Sequence, residues 1–427
     1  MEPSEIQLAV CVGIDWADEH HDVALQIVGA TTIEEQRVPH TAATLHAWLT
    51  ALGDRFPGQL VGVALETSRG PLVQALLERP FIVLYPVNPR SLRRFRETFS
   101  PAGAKDDVPD ARLLLELLVK HRDRLRPWRP DDEATRRLQR LVEQRRSAVE
   151  LRTQLTLQLQ AVLKEYFPQA LEWAGAHLAS PLACAFLQRW PTLAALQRAK
   201  PATVRHFYTQ HGARRGGRID TCLAAIATAV PLTTDRAVID SNVLAVRLLT
   251  TQLLALAPSI AAVERAIAGT FATHPDAAIF ASFPGAGPAL APRLLATFGT
   301  DRTRFASAAA VQVAVGIAPV TKRSGKSMTV EWRWATSPFD RQTFHEFAWH
   351  SLRATPWART YYAQQRARGH SHHASIRSLA FKWIRILWRC WQDRVPYDDA
   401  RYVRALTLHR SPLSTRFPSP EKLAAIA

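Results

Sequence analysis

Cysteine is scarce in this sequence, and its scarcity excludes two ways of stabilising a fold. Only 4 of the 427 residues are cysteines. Disulfide frameworks and zinc sites need cysteines at short, regular spacings. The cysteines here are scattered along the chain, at Cys11, Cys184, Cys222 and Cys390. We therefore expect reduced thiols in a cytosolic protein.

Long apolar runs are also absent. The longest, such as Leu248–Ile260, are interrupted by threonine, glutamine and proline, whereas a membrane-spanning helix needs about 20 apolar residues. The first residues, MEPSEIQLAVCVGID, do not combine a basic segment with an apolar one as a secretory signal does. These absences predict a cytoplasmic protein that has no membrane partner.

Acidic residues are outnumbered by basic ones. The chain has 54 lysines and arginines against 37 aspartates and glutamates, a formal net charge of +17. Apolar residues make up 47% of the sequence, which is enough for the cores of two or three domains. A strongly basic globular protein favours a polyanionic partner, most simply a nucleic acid.

The charge is unevenly distributed along the chain. Residues 1–110 contain 9 basic and 15 acidic residues, a net charge of −6, whereas residues 301–395 contain 16 basic and 5 acidic ones, a net charge of +11. Most of the N-terminal carboxylates can be explained as solvated surface. An acidic segment in a basic protein also suggests that some of them hold a divalent cation, as in proteins that act on phosphates at a metal.

The N-terminal segment alternates apolar strands with helices, which is typical of helices packed on a mixed sheet. The expected strands are Leu8–Asp15, Asp22–Val28, Ile33–Val38, Leu60–Leu65 and Phe81–Tyr85. The expected helices are Ala42–Leu52, Pro71–Leu77 and Asp110–Lys120. A loop rich in arginine, proline and glycine is expected to run from the last strand to about Lys105.

The rest of the chain has the three-to-four-residue apolar spacing of helices. Glu133–Tyr166 and Asp240–Ile267 predict two long helices, the second broken near Pro258, which would form a coiled-coil hairpin suited to dimerisation. The predicted fold class is α/β followed by all-α. The predicted domains are 1–125 (α/β), 126–275 (helical insert), 276–396 (mostly helical) and 397–427 (flexible tail).

Four acids in the N-terminal segment are candidate metal ligands. Asp15 and Glu66 each end an apolar strand, and if the two strands are neighbours, both carboxylates emerge at one edge of the sheet. Asp107 and Asp110 have the spacing that places them on one helix face. Such oxygen ligands suit Mg²⁺. Each also has an ordinary explanation, because Asp107 fits an N-cap, Asp110 suits a first helical turn and strand-end acids often serve turns.

The most basic region contains a candidate nucleophile within the sequence TKRSGKS. Ser324 precedes a glycine and is flanked by Lys322, Arg323 and Lys326. A seryl hydroxyl needs a base or a metal to become a nucleophile, and the cations would offset the charge of a phosphodiester. A basic turn that only contacts the nucleic-acid backbone is the alternative explanation.

Other residues could contact nucleic acid without doing chemistry. Gly285 and Gly287 lie in a Pro-Gly-Ala-Gly turn between helical segments, where backbone N–H groups can face a phosphate. Basic and aromatic residues alternate further on, at Trp349, Trp357, Tyr361, Tyr362, Arg366, Arg368, Arg377, Lys382, Trp383, Arg385, Trp388, Arg389 and Trp391. Such residues can follow a phosphate backbone and stack on bases.

Two parts of this C-terminal region have simpler explanations that we favour. The spacing of Ile384, Leu387, Trp388 and Trp391 is typical of a core stripe on a helix. The histidines at 370, 372 and 373 could bind a metal, but a solvated loop after Gly369 explains them more simply.

The sequence resembles one group of bacterial insertion-sequence transposases. The resemblance is carried by the motifs GID, ALE and AKDDVPDA, by FPGAGPALAPRLLATFG and by the later Ser-Gly. The resemblance covers about residues 8–120 and 276–395. It implies an RNase H/RuvC-like N-terminal domain of the DEDD type, a helical insert and a C-terminal serine domain. Members of this group are DNA recombinases guided by a bridge RNA that pairs with donor and target DNA.

The resemblance also implies roles for the candidate residues. Asp15, Glu66, Asp107 and Asp110 would bind Mg²⁺, and Ser324 would form a covalent phosphoserine with DNA. Family members form homodimers that pair into homotetramers, and one active site combines domains from two protomers. The contacts with nucleic acid would include Lys322, Arg323, Lys326, Gly285, Gly287, Arg366 and Arg368.

The sequence departs from the family pattern in two places and leaves alternatives open. Asp106 stands where the family has serine or threonine, and Ser337–Arg341 stands where a Gly-Asn motif is frequent. Ser327 is a second candidate nucleophile. A RuvC-like nuclease or junction resolvase that uses metal-activated water is the alternative enzyme. A nucleic-acid-binding protein without catalysis is the alternative outside enzymes.

Overall fold

The chain folds into two compact units. The computed structural model describes residues 6–67, 70–99, 110–212, 216–325, 327–331, 333, 336–411 and 413. Unit 1 spans Met1–Pro130 and unit 2 spans Asp131–Ala427. The sequence division at residues 125, 275 and 396 stays a prediction, although helices from both sides of residue 275 lie within unit 2.

Unit 1 has the α/β character expected from its sequence. Its strands are β1 (Leu8–Trp16), β2 (His20–Ile27), β3 (Glu34–Pro39), β4 (Leu60–Leu65) and β5 (Ile82–Pro86). Its helices are α1 (Ala42–Arg55), α2 (Pro71–Leu77), α3 (Pro89–Phe99) and α4 (Asp110–Lys120). The apolar side chains of β1 and β4 are buried, because helices cover both faces of the central sheet.

The five strands form one mixed sheet in the order β3-β2-β1-β4-β5. The β1–β2 and β2–β3 pairs are antiparallel, and the β1–β4 and β4–β5 pairs are parallel. The parallel pairs are separated in the chain by α1 and α2, which supply the crossover connections that parallel strands require. The carboxyl ends of β1, β4 and β5 therefore meet at one edge.

The expectation of a loop from the last strand to Lys105 is wrong for its first half, where α3 forms. Asn88 caps this helix, since its side-chain oxygen accepts a hydrogen bond from the backbone N–H of Arg90 (2.9 Å). Pro89 occupies the first turn, where its missing N–H costs nothing. Leu92 anchors the helix in the core. Arginine is a good helix former, so a basic composition alone does not indicate a loop.

Unit 2 is mostly helical. The helices before its hairpin are α5 (Glu133–Tyr166), α6 (Ala170–Trp173), α7 (Pro181–Arg189), α8 (Leu193–Gln197), α9 (Pro201–Gln210), α10 (Gly216–Thr228), α11 (Arg236–Ala272), α12 (Ala277–Ala281), α13 (Gly287–Phe298) and α14 (Ala308–Ala314). The hairpin is β6 (Val320–Ser324) and β7 (Ser327–Glu331). The helices after it are α15 (Pro338–Ala354), α16 (Pro356–Ala367), α17 (His372–Asp393) and α18 (Asp399–Leu408).

The two long helices α5 and α11 pack along each other. The expected break in α11 does not occur, since the helix continues through Pro258. Leu253 and Ile260 are buried on either side of this proline, and their packing outweighs the lost backbone hydrogen bond. Naming the pair a coiled coil stays a prediction.

Helix α11 is also long and apolar enough to pass a test for membrane spans. One 18-residue window has a mean hydropathy of 1.6, so the expectation that no segment reaches this length was too strict. Among the described residues it is the one such helix. An apolar helix that packs against partner helices passes the same test, and α11 packs against α5 and α7.

The C-terminal helices surround an aromatic core. Trp357, Trp383 and Trp391 are fully buried, so the prediction that Trp357 and Trp383 contact nucleic acid is wrong. Each indole N–H is satisfied inside the protein, for example by a hydrogen bond from Trp383 to the Ser351 hydroxyl (2.8 Å). The favoured prediction of a core stripe is confirmed for Ile384, Leu387 and Trp391.

The segment expected to be a flexible tail begins with a helix. Asp398 caps α18 by accepting a hydrogen bond from the backbone N–H of Arg401 (3.0 Å). Tyr397 stacks on Phe283 and Tyr402 packs against Trp357, which ties the helix to the core. Residues 414–427 lie outside the described part of the chain.

Candidate functional site

The sheet brings two of the four candidate acids together. Ile14 of β1 is the register partner of Leu65 of β4, and the two strands are parallel. Asp15 and Glu66 are the next residue along each strand. They therefore leave the sheet side by side at its carboxyl edge, as expected from the sequence.

Helix α4 brings the third acid to this edge. It crosses β1 so closely that a side chain at Gly13 would overlap the carbonyl oxygen of Ala111. Glycine is therefore required two residues before Asp15, because only a hydrogen fits between strand and helix. Asp110 is the first residue of the helix and precedes the point of contact. The GID motif thus combines a packing residue with a candidate ligand.

The three carboxylates interact electrostatically. Burial, followed by the charge of Asp110, raises the pKa of Asp15. Burial, followed by the charges of Asp110 and Asp15, raises the pKa of Glu66. Both shifts mean that ionisation is disfavoured at this edge unless a cation is near.

Arg96 is such a cation, and the sequence reasoning did not identify it. It forms an ion pair with Asp110, and its charge lowers the pKa of both Asp15 and Glu66. The signal that could have found it is helical spacing, since Arg96 lies four residues after the buried Leu92 and shares its helix face, whereas Arg93 is exposed.

The chemistry of the three carboxylates suits a divalent cation, but the described residues do not form a complete metal site. Carboxylate oxygens are the ligands that Mg²⁺ prefers, and a cation would offset the repulsion between the three carboxylates. Among the described residues no group of three or more histidines, cysteines, aspartates or glutamates is close enough to hold a metal. Asp106 and Asp107 lie outside those residues. The metal assignment therefore stays a proposal.

The candidate nucleophile lies in unit 2, at the tip of the β6–β7 hairpin. Ser324 ends β6 and pairs with Ser327 across the turn. Gly325 follows with a φ of +56°, a left-handed conformation that suits glycine. The Ser324 side chain is exposed and forms no hydrogen bond within the described part of the chain. Its hydroxyl is thus accessible to a large substrate.

The cations beside Ser324 are divided between the two faces of the hairpin. Side chains alternate along a strand, so Lys322 shares a face with Ser324 while Arg323 points to the other. Lys322 forms an exposed ion pair with Glu331 (2.6 Å). Lys326 lies outside the described residues.

The two glycines of the Pro-Gly-Ala-Gly turn have different environments. Gly285 has a φ of +83°, and a side chain there would collide with the backbone of α15 at His350. Close helix packing therefore explains this glycine. Gly287 begins α13 and is exposed, with open space where a side chain would be. Its contact with a phosphate stays a prediction.

The basic segment from the end of α16 to the start of α17 forms hydrogen bonds within itself and to α16. Arg366 donates a hydrogen bond to the carbonyl oxygen of His370 (2.8 Å), and Arg368 is exposed at the end of the helix. His372 opens α17 and accepts or donates a hydrogen bond with the hydroxyl of Tyr362 (2.8 Å). The expectation that these histidines form a solvated loop is wrong for His372 and His373, which are helical.

The segment without the Gly-Asn motif starts a helix. Ser337 caps α15 by accepting a hydrogen bond from the backbone N–H of Asp340 (3.3 Å), and Pro338 follows in the first turn. The departure from the family pattern thus has a local structural role.

Comparisons with known proteins match both halves of this description. Residues 12–168 match a DEDD-type model of IS110 elements described as a transposase, and residues 277–363 match a model described as a transposase of the IS116/IS110/IS902 family. The α/β unit with its acidic edge and the helical unit with its basic hairpin therefore define a transposase, a class of protein that cuts and rejoins DNA.

Relatives over nearly the full length identify the family. A Streptomyces coelicolor mini-circle protein of IS117, named as a transposase, is 30% identical over 413 residues, which cover 93% of this chain and 97% of the relative. A 42 kDa protein of insertion element IS900 from Mycobacterium paratuberculosis is 28% identical over 93% of this chain and 99% of its own length. The chain belongs to the IS116/IS110/IS902 family of insertion-sequence transposases.

Proposed function

We propose that this protein is an RNA-guided, site-specific DNA recombinase that cuts and rejoins DNA through a covalent phosphoserine at Ser324, with a Mg²⁺-binding acidic centre. The observation that carries the proposal is the meeting of Asp15, Glu66 and Asp110 at the carboxyl edge of the sheet. This arrangement, in a mixed sheet of five strands, supports the RuvC-like assignment of unit 1. The accessible hydroxyl on a basic hairpin supports the role of Ser324.

The chemistry proceeds by two phosphoryl transfers. The Ser324 oxygen forms a bond to the scissile phosphorus, one phosphorus–oxygen ester bond breaks, and a DNA hydroxyl leaves. The serine proton passes to a base or to solvent. A hydroxyl of the second DNA then attacks the phosphoserine and releases the serine. The covalent intermediate conserves the phosphodiester energy, so rejoining needs no nucleotide cofactor.

The acidic edge would hold the metal. Asp15, Glu66 and Asp110 would be its ligands, together with Asp107, which lies outside the described residues. When bound there, Mg²⁺ would offset phosphate charge and would favour a deprotonated hydroxyl. Arg96 already balances Asp110 in part. On the hairpin, Lys322 shares the face of Ser324 and would offset charge on the attacked phosphate.

The partners follow from charge and resemblance. The net charge of +11 over residues 301–395 suits donor and target DNA and a bridge-type guide RNA. Exposed leucines on the long helices, among them Leu244 (67% exposed) and Leu248 (61% exposed), favour a homodimer that pairs into a tetramer.

Covalent adducts with DNA test the proposal. The element's own ends, its guide RNA and Mg²⁺ are incubated with the full protein, and adducts are resolved on denaturing gels. Ser324→Ala should abolish them while RNA binding is retained, and Ser327→Ala is the matched control that should retain both. Adducts that persist in Ser324→Ala would contradict the assignment of the nucleophile. Free 5′-phosphate ends without adducts in the wild type would instead indicate a nuclease.

A further inference from the structure

A cleft lies beside the base of the hairpin that carries Ser324. Its volume is about 250 Å³, and it opens between α16, the first half of α17 and the segment that leads into β6. Ile317, Pro319 and Phe381 form apolar walls. Phe381 is 38% exposed although most phenylalanines in this protein are buried. The walls therefore offer flat apolar surface to a ligand.

One polar side chain in this cleft has no hydrogen-bond partner in the described part of the chain. Gln365 lines the cleft and is only 7% exposed. The hydrogen bonds recorded for it involve its backbone carbonyl, which accepts from Arg368 and His370, and none involves its amide. The amide atoms of Gln365 reach solvent in the cleft and are therefore open to a ligand that supplies both a donor and an acceptor.

The polar side of the cleft is positively charged. Arg377 and His370 line it together with Gln365. The charge of Arg377 is also felt by the neighbouring His345, since burial, followed by the charge of Arg377, lowers the pKa of His345 to about 4. A ligand with a phosphate beside a flat ring would match both sides of the cleft.

We propose that this cleft binds one unstacked base of the DNA strand that Ser324 attacks, with Gln365 hydrogen-bonded to the base edge and Arg377 at the adjoining phosphate. The inference rests on the proposed function. The Gln365 amide presents a donor beside an acceptor, which matches the edge of adenine. The apolar walls replace the neighbours that a base loses when it leaves the stack.

The position of the cleft relates the bound base to the cleaved bond. Pro319 precedes β6 directly, and Ser324 ends this strand. The five residue steps from Pro319 to Ser324 span about 16 Å, which corresponds to about five nucleotides along one strand of a duplex. The base in the cleft would thus lie within about five nucleotides of the attacked phosphate and would fix the strand's register on the hairpin.

Photocrosslinking with the full protein tests this inference. The probe is a 12-nucleotide single strand that carries 8-azidoadenine at one position, and labelled peptides are mapped by mass spectrometry. We expect label between Gln365 and Phe381. Gln365→Leu should reduce this label about tenfold, whereas Gln364→Leu, the same change next to it on α16 and outside the cleft, should not. Label confined to other segments would overturn the inference.

A second variant covers the case in which Gln365→Leu does not fold. Ala374→Leu narrows the cleft and leaves its polar groups in place. It should weaken binding of a 12-nucleotide oligo(dA) about tenfold but leave binding of an abasic strand of the same length unchanged. An equal loss for both strands would show a phosphate site without a base and overturn the inference.

The proposed function and the cleft can fail separately. If Ser324-dependent adducts form and Ala374→Leu binds oligo(dA) as the wild type does, the cleft assignment fails and the function stands. If the wild type forms no adduct but loses base-dependent binding in this variant, the function fails and the cleft remains a base-binding site.

Discussion

Asp15 and Glu66 lie next to each other because Ile14 and Leu65, the residues before them, are register partners on adjacent parallel strands. They are 51 positions apart in sequence, and α1, the helix between them, does not contribute an acid to this edge. Two strands with few polar residues thus place two half-buried carboxylates together. This is unfavourable without a cation, and such strain is frequent at functional sites.

Neutralising one of these acids should stabilise unit 1 in the absence of metal. Burial and neighbouring carboxylates raise the pKa of Asp15, so its ionised form is less favourable in the folded protein than in the unfolded chain at neutral pH. Asp15→Asn should therefore raise the melting temperature in EDTA, and the wild type should gain stability as the pH falls from neutrality through the raised pKa. Differential scanning calorimetry measures both.

The same variant should lose its response to Mg²⁺. The wild type should melt at a higher temperature in 10 mM Mg²⁺, on the order of a few degrees if the site is mostly filled, and Asp15→Asn should not. Asp18→Asn, an exposed change just beyond β1, is the control. An equal Mg²⁺ response in Asp15→Asn would contradict the metal assignment.

Arg96 competes with a metal for the same carboxylate. Its ion pair with Asp110 neutralises part of the charge that would attract Mg²⁺. Arg96→Gln should therefore tighten Mg²⁺ binding, by roughly 1 kcal/mol for one partly exposed pair, as isothermal titration calorimetry can measure. Arg93→Gln removes an exposed pair with Glu97 on the same helix and should leave the affinity unchanged. Weaker binding in Arg96→Gln would mean that this arginine supports the site.

The sheet and the strand-end acids could be predicted because their signals are local. Apolar runs mark β1 and β4, and the acid after each run marks the strand end. To predict that Asp15 and Glu66 lie close together, only one further assumption was needed, namely that β1 and β4 are neighbours in the sheet. The long helices α5 and α11 were equally visible, since their apolar spacing persists over many turns.

The remaining features depend on contacts between distant segments. The role of Arg96 requires α3, which basic composition concealed. The burial of Trp357 and Trp383 requires partners for their indole N–H groups, and those partners, Tyr397 and Ser351, are 40 and 32 positions away. The cleft at Gln365 is formed by three segments whose proximity no spacing rule predicts.

A buried ion pair fixes the C-terminal core of unit 2. The two terminal guanidinium nitrogens of Arg302 donate hydrogen bonds to the Asp276 carboxylate, at 2.6 and 2.7 Å. The Nε of Arg302 donates to the carbonyl oxygen of Trp391. Arg302→Met would leave Asp276 buried without its partner and should lower the free energy of unfolding by about 3 kcal/mol. Arg304 is more exposed than Arg302, so Arg304→Met, which breaks its ion pair with Asp131, should lower the free energy of unfolding by less. Urea denaturation measures both, and an equal loss would contradict this ranking.

The exposed leucines of α11 should mediate self-association. Leu244 and Leu248 are one helical turn apart and therefore share a face, and both are more than half exposed. Charges on this face would have to be desolvated in a dimer, so the double change Leu244→Glu and Leu248→Glu should weaken association at least tenfold, as light scattering after size exclusion can measure. Leu408→Glu introduces a charge at an even more exposed leucine, on α18, and should leave association unchanged. If the dimer persists in the double variant but is lost in Leu408→Glu, the dimer interface lies on the C-terminal helices and not on the long helices.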